Sequence, residues 1–217
     1  MMWRFDGSME DRMHSWMMRI SIALVVALAL AAPMTAARAD AVDPAVPAVQ
    51  SFYATLLDCM KNAKSLGAQG RYDKLKPSVE KSFELGTMIK YAVGPSWDTA
   101  SADDQKALTN AFAHMTIAQY AGNFDGYDGE KFTVEPQADI RGNDHYVKTA
   151  LVTKDQTIAF IYRMRQFGGQ WKIIDILLDG SISQLSVYRS DFSSTLKNGD
   201  PQALVKKLDH LADKALK

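Results

Sequence analysis

Residues 131–178 constrain the fold of this chain more than any other stretch. Four segments of strand character follow one another, 131–140, 144–153, 157–167 and 170–178. The spacers between them are Arg141-Gly142-Asn143, Lys154-Asp155-Gln156 and Gly168-Gly169. Spacers this short reverse a chain, whereas a crossover between parallel strands takes about a dozen residues or more. The four strands are therefore expected to form an antiparallel meander.

Residue alternation says which way the meander faces. In the third strand Ile158, Phe160, Tyr162 and Met164 fall on one face, and Arg163 and Arg165 on the other. One apolar and one polar face predicts a sheet that curls around something. The fourth strand is apolar on both faces. Trp171, Ile173 and Leu177 share one with Asp175, while Ile174, Ile176 and Leu178 share the other. It is expected to be central and covered on both sides. Taken alone, the alternation describes side chains filling an ordinary core.

Helices flank the meander. Val49, Phe52, Tyr53, Leu56, Leu57 and Met60 recur at helical spacing, so 45–66 reads as an amphipathic helix, with Pro44 or Pro47 in its first turn and Gly67 at its end. Two shorter helices, 71–83 and 84–93, are expected, with breaks near Pro77 and at Glu84-Leu85-Gly86, and Gly94-Pro95 stopping the second. Ser101 and Asp104 open a helix to about Asn123 in capping-box fashion. It carries Leu108, Phe112 and Met115, with small Ala107, Ala111 and Ala118 beside them that would admit a close neighbour. After the strands, helices are expected at 181–197 and 200–215, the latter with Asp200 as cap and Pro201 in its first turn. Helices, then a meander, then helices make an α+β pattern. The expected architecture is a curved antiparallel sheet of about four strands packed against N-terminal and C-terminal helices.

The N-terminus carries an address. Residues 20–32 form an apolar run preceded by Arg19, and Ala37-Arg38-Ala39 offers a small-residue cleavage site. This is the pattern of a secretory signal peptide, too short to span a bilayer. Cleavage is expected after about Ala39, giving a signal peptide at 1–39 and a single domain at 40–217. The segment before the run is long and holds Asp6, Glu10 and Asp11. A start at Met17 or Met18 would give a cleaner signal. The alternative is an uncleaved anchor.

Residues 1–39 hold four basic and three acidic side chains, so their removal leaves 21 basic and 22 acidic. A near-neutral chain without a basic run argues against nucleic-acid binding. Cys59 is the single cysteine, so no internal disulfide forms. It sits among Leu56, Leu57 and Met60 and reads as a buried thiol, without the basic neighbour a nucleophile needs.

Motifs of catalysis are sparse. There is no G-x-S-x-G, P-loop or dinucleotide-binding glycine pattern, and no two histidines have metal-ligand spacing. Asp175, on an apolar strand, is expected to be partly buried and to need a partner. A structural ion pair with Arg189, or with Arg141, is the preferred reading, with Asp179 nearby helping to tie the strand end to the following helix. The alternative makes Asp175 a general base with His114, or with His145 in a turn beside Asn143-Asp144. Lys61, Lys64, Arg71, Lys74 and Lys76 cluster near the end of the first helix, either as solvated surface or as a docking patch for membrane partners or lipid head groups.

One stretch carries a resemblance. From Trp171 to Phe192 the chain reads WKIIDILLDGSISQLSVYRSDF. Trp171, Lys172, Ile173, Asp175, Asp179, Gly180, Arg189 and Phe192 stand where the MlaC (toluene-tolerance) family of periplasmic lipid carriers has its signature. FYATLLDCM (52–60), YAVGPSW (91–97), TIAQYAGNFDGYDGEKF (116–132) and YRMRQFGGQWKI (162–173) fit the same family in order, most like its hopanoid-associated branch. The resemblance spans roughly Val42 to Ala212.

That resemblance implies a hollow rather than a filled interior. It implies a soluble periplasmic carrier of phospholipid or a hopanoid-type lipid, without cofactor, exchanging cargo with an inner-membrane ABC transporter complex and an outer-membrane partner. The expected cavity lining is Ile158, Phe160, Tyr162 and Met164 from the sheet, with Phe83, Met88, Phe112 and Met115 as adaptable Met and aromatic surfaces. Burial of a CH₂ group stabilises by about 0.8 kcal/mol, so two chains of ~14 carbons gain roughly 20 kcal/mol gross without any head-group chemistry. A monomer is expected. The competing readings are a cone-shaped α+β enzyme using Asp175 with a histidine, and a lipid-free adaptor bridging envelope proteins.

Overall fold

The computed structural model describes residues 41–196 and 200–217. The expected signal peptide at 1–39, its cut after Ala39 and the alternative starts at Met17 and Met18 lie outside the described residues. Among the described residues are seven helices and one five-stranded antiparallel sheet, curved and unclosed. The α+β expectation holds.

The helical half comes first. α1 (Val46–Lys61) buries Val49, Phe52, Tyr53, Leu56 and Met60 of the stripe its spacing predicts, together with Cys59, while Leu57 is only half-buried. It ends earlier than expected. Asn62 leaves helical geometry (φ −105°, ψ 11°), and its side chain donates to the Asp58 carbonyl at 2.8 Å. α2 (Ala63–Ser82) follows at once and breaks at Gly67, whose φ of 62° and ψ of −179° suit glycine alone. Pro77 does not end this helix. It removes the bond to the Asp73 carbonyl, but both residues are exposed, so water can take that carbonyl. α3 (Leu85–Val93) stops at Gly94, and a single turn, α4 (Ser96–Thr99), was not expected. α5 (Ala102–Asn123) begins at Ser101, whose side chain accepts from the Asp104 amide at 3.1 Å.

The strands are β1 (Lys131–Arg141), β2 (Asp144–Val152), β3 (Thr157–Phe167), β4 (Gln170–Leu178) and β5 (Ile182–Ser183), paired in sequence order. The first four match their expected ranges to within one residue. β5 was not anticipated. Asp179 (φ 49°) and Gly180 (φ 74°) turn the chain left-handed, and Ile182 returns to pair with Leu178. The next helix, α6 (Gln184–Leu196), therefore starts three residues later than expected. α7 (Pro201–Ala215) is capped by Asp200, which accepts from the Gln202 amide at 2.9 Å.

α7 packs along α5. A Cβ at Gly122 would collide with the Ala215 carbonyl, so only glycine permits this approach. Beside it Ala111, Ala118 and Ala121 of α5 and Ala212 of α7 are buried. The small residues of α5 do admit a close neighbour. β4 is covered as expected but is less central. β5 pairs only with Leu177 and Leu178, and the remaining edge is closed by Phe83, which bridges Ile173, and by the Glu84 amide donating to the Ile173 carbonyl at 2.9 Å.

Candidate functional site

Register gathers the apolar side chains of the sheet on one face. Ile158, Phe160, Tyr162 and Met164 stand opposite Leu151, Thr149, Val147 and His145 of β2. On the far side, Phe160, Tyr162 and Met164 stand opposite Leu178, Ile176 and Ile173 of β4. Directly opposed residues point to the same side of a sheet, so this face is continuous over three strands. All eight expected lining residues, Ile158, Phe160, Tyr162, Met164, Phe83, Met88, Phe112 and Met115, are buried. Three of them, Phe83, Tyr162 and Phe112, enter ring clusters, the first two one cluster and Phe112 another. Phe83 joins Phe52 and Tyr120, and Phe52 leads through Tyr53 to Tyr162 and Phe132. Phe112 instead meets Tyr188, which stacks on Phe192.

Hydroxyl groups lie inside this apolar face, a feature the sequence reading missed. Tyr53 Oη is 2.7 Å from Thr149 Oγ1, and the Tyr53 ring meets the Tyr162 ring edge-on at 5.7 Å. Burial pushes the Tyr53 phenol up to about 12 against the opposing hydrogen bond from Thr149. It drives Tyr120 and Tyr162 further above the ordinary range. The available signal was a tyrosine at a core-facing position of an apolar helical stripe, since a buried phenol seeks a partner.

The other face of β2 and β3 is charged. Asp144, 4% exposed, accepts from Arg163 Nε at 2.7 Å and from Arg165 Nε at 2.6 Å. Desolvation pushes its carboxyl up, but the hydrogen bonds and charges of Arg165 and Arg163 outweigh that and hold it below the usual range.

The expected Asp175–Arg189 ion pair does not form. A register shift in β4 inserts Ile174 as an extra residue, so Ile173 opposes Met164 while Asp175 opposes Arg163. Asp175 thus leaves the face of Ile173 and turns to α6. It accepts from the Leu185 amide at 3.1 Å, the Ile176 amide at 2.8 Å and Ser183 Oγ at 2.6 Å. Ser183 in turn accepts from the Ser186 amide at 3.1 Å. The carboxylate meets the free amides of a helix start, which attract negative charge, and no arginine is needed. Arg189 is exposed and lies over Gly94, where a Cβ would fall 2.9 Å from its Nη2. Arg141 is also elsewhere, over the Tyr146 ring.

Neither candidate histidine meets Asp175. His114 Nδ1 is 3.5 Å from Asp209, and its ring meets Tyr72 edge-on. His145 lies on β2 rather than in a turn, with Nδ1 2.8 Å from Asp43 and its ring 4.1 Å from that of Trp171. Asp43, buried, also accepts from the Ala45 amide, and its own amide donates to the Pro136 carbonyl. This pair fastens the start of the described chain to the bulged part of β1 and the start of β2.

The basic cluster is not one surface. Arg71 donates from Nε to the Ala121 carbonyl at 2.7 Å and from Nη1 to the Ala63 carbonyl, tying α2 to α5. Lys74 pairs with Asp58, and Lys61 lies over the Tyr127 ring. Cys59 is fully buried beside this junction, its Sγ 3.9 Å from the Arg71 carbonyl, and burial pushes its thiol up.

The fold has a solved relative. A phospholipid-binding protein from Ralstonia solanacearum, solved in complex with a phospholipid, is similar with a TM-score of 0.69 at 20% identity, over 80% of this chain and 99% of that one. No curated protein matches the chain. The family model for MlaC protein matches residues 50–210. That span takes in the sheet, its buried apolar face and the Asp175 cap, and the chain belongs to the MlaC family.

Proposed function

We propose that this chain is a soluble periplasmic lipid carrier that holds acyl or polycyclic apolar cargo between the inner sheet face and the helices. The observation that carries this reading is the continuous, mostly buried face of β2, β3 and β4, apolar but for Thr149 and His145. It occurs in a fold similar to one solved around a phospholipid. The cargo is phospholipid or a hopanoid-type lipid. Exchange takes place with an inner-membrane ABC transporter complex and an outer-membrane partner, and the carrier acts as a monomer released after cleavage near Ala39. Binding alone is the function, and no catalytic step is assigned.

Mass spectrometry of lipid extracted from purified protein beginning at Asp40 tests this reading. Near-stoichiometric lipid is expected. Folded protein free of lipid that also fails to take it up from vesicles would leave the adaptor reading in its place. N-terminal sequencing of the periplasmic fraction checks the export step, and retention of residues 20–32 in a membrane pellet would refute it.

A further inference from the structure

The two ends of the sheet differ. β1 turns into β2 at Gly142-Asn143 and β3 into β4 at Gly168-Gly169, so in this meander both tips stand at one end. Beside them the register sets Arg141, Asp144, Arg165 and Lys172 in one row across four strands. Directly opposed residues share a face, and Arg163 lies on that same outer face two residues along β3.

Charge in this cluster is sorted by depth. The Asp144 side chain is 6% exposed, whereas those of the two arginines that bond it are each 32% exposed. Lys172 pairs with Glu84 at 3.1 Å. Arg141 is exposed over the Tyr146 ring and has no carboxylate partner among the described residues. Four cations, Arg141, Arg163, Arg165 and Lys172, thus meet two carboxylates, Asp144 and Glu84. The other acidic groups of the face are engaged. Asp175, one row further from the tips, is buried and turned to α6, and Asp139 pairs with Lys148.

Apolar side chains stand at the same end. Ile140, next to Arg141, is 63% exposed, more than any other large apolar residue described. Phe167 and Trp171 flank the Gly168-Gly169 turn, and both are half-buried. The opposite tip, Thr153 to Gln156, carries no large apolar side chain, and its Lys154 is paired with Asp128 at 2.6 Å. Cations beside aliphatic and aromatic side chains suit a bilayer surface, where the charges meet lipid phosphates and the apolar groups settle at head-group depth. An acidic protein surface would call for the cations alone.

We propose that this end of the sheet docks on an anionic bilayer surface, with Arg141 and its cationic neighbours on the phosphates and Ile140 at the acyl boundary. The docking goes beyond the carrier reading and needs no cargo in the interior.

The test is flotation of protein beginning at Asp40 with vesicles of phosphatidylcholine alone, or of phosphatidylcholine and phosphatidylglycerol in equal amounts. Binding is expected to the mixed vesicles only and should weaken as salt is raised. Arg141→Gln should weaken it about fivefold, the effect of one cation near an anionic surface, and Arg141→Lys should restore it. Ile140→Ser should weaken it several-fold. Both positions are exposed, and thermal melting checks that each variant folds. Lys154→Gln, at the opposite end, should bind as the parent does. Absence of binding to mixed vesicles, full binding by Arg141→Gln, or an equal loss from Lys154→Gln would overturn the proposal. Binding that needs Arg141 but not Ile140, and that immobilised polyglutamate reproduces, would give the surface to an acidic protein and overturn the bilayer assignment. Lipid extracted from the same preparations separates the two readings. Co-purifying lipid without vesicle binding overturns the docking and spares the carrier, and vesicle binding without co-purifying lipid or lipid uptake does the reverse.

Discussion

The two faces of β3 are made from alternate residues of one strand, yet they are stabilised in different ways. The inner face, Ile158, Phe160, Tyr162 and Met164, is buried chiefly by apolar and aromatic contact, with Tyr53–Thr149 as a hydrogen-bonded pair beside it. The outer face, Arg163 and Arg165, is fixed by one buried carboxylate, Asp144, that bonds both. Apolar contact tolerates exchange of one occupant for another, because it asks for area rather than geometry. A bidentate arginine–carboxylate cluster tolerates no such exchange. The contrast teaches that rigidity sits on the outer face, which frees the inner face for a replaceable partner.

Asp144→Asn is the most damaging way to break that contrast. Removing one side of a buried ion pair costs about 3–5 kcal/mol, and the arginines, each 32% exposed, recover part of the loss from water, so about 3 kcal/mol is expected. Denaturant midpoints measure it, and lipid content of the folded fraction should stay unchanged. A pH series sharpens the point. The folded-state carboxyl of Asp144 is held below its unfolded value. Its contribution is therefore complete above the unfolded value, at about pH 4, and fades as pH falls through the lower folded value. Asp144→Asn should flatten that acid limb of the stability profile.

Next in size is Asp175→Asn, which loosens the start of α6. Loss of the charged cap is expected to cost about 1–2 kcal/mol in thermal stability. A double-mutant cycle with Ser183→Ala should show coupling, whereas a cycle with Arg189→Gln should be additive. Coupling to Arg189 would mean that the arginine reaches the carboxylate in solution.

Phe160→Trp probes the inner face. Overpacking should cost about 1 kcal/mol, and co-purifying lipid should drop several-fold in a protein that still folds. Full lipid occupancy in that variant would show that Phe160 does not line the cargo space. The smallest effect belongs to the outer rim. Lys148 pairs with Asp139 at 3.1 Å, and both are largely exposed. Lys148→Ala should change stability by less than about 0.5 kcal/mol, and a larger loss would mean that the rim is stiffer than the contrast supposes.

The sequence spoke most clearly where neighbours along the chain decide the structure. Short polar spacers fixed the four strands, and strict alternation identified the inner face of β3. β4 was harder because both of its faces are apolar, so nothing in its pattern marks Ile174 as the extra residue that turns Asp175 away from Ile173. The true partners of Asp175 then followed from a two-residue strand, Ile182-Ser183, too short for any periodicity to reveal. Asp43 with His145, and Tyr53 with Thr149, join residues 102 and 96 positions apart. Such pairs are set by the completed fold rather than by local propensity. The end of α1 was overrun because Ala63 to Leu66 are helical too, and only the Asn62 side chain bonding back to Asp58 separates the two helices.

Cys59 gives the molecule a clock of its own. The thiol is fully enclosed where α1 meets α2, and burial keeps it protonated. A thiol in that state reacts only when the surrounding helices part, and thiolate is the reactive form. The rate at which an alkylating reagent modifies this single cysteine therefore counts opening events of the helical half. Comparing that rate with and without cargo would convert occupancy of the interior into a difference in opening free energy.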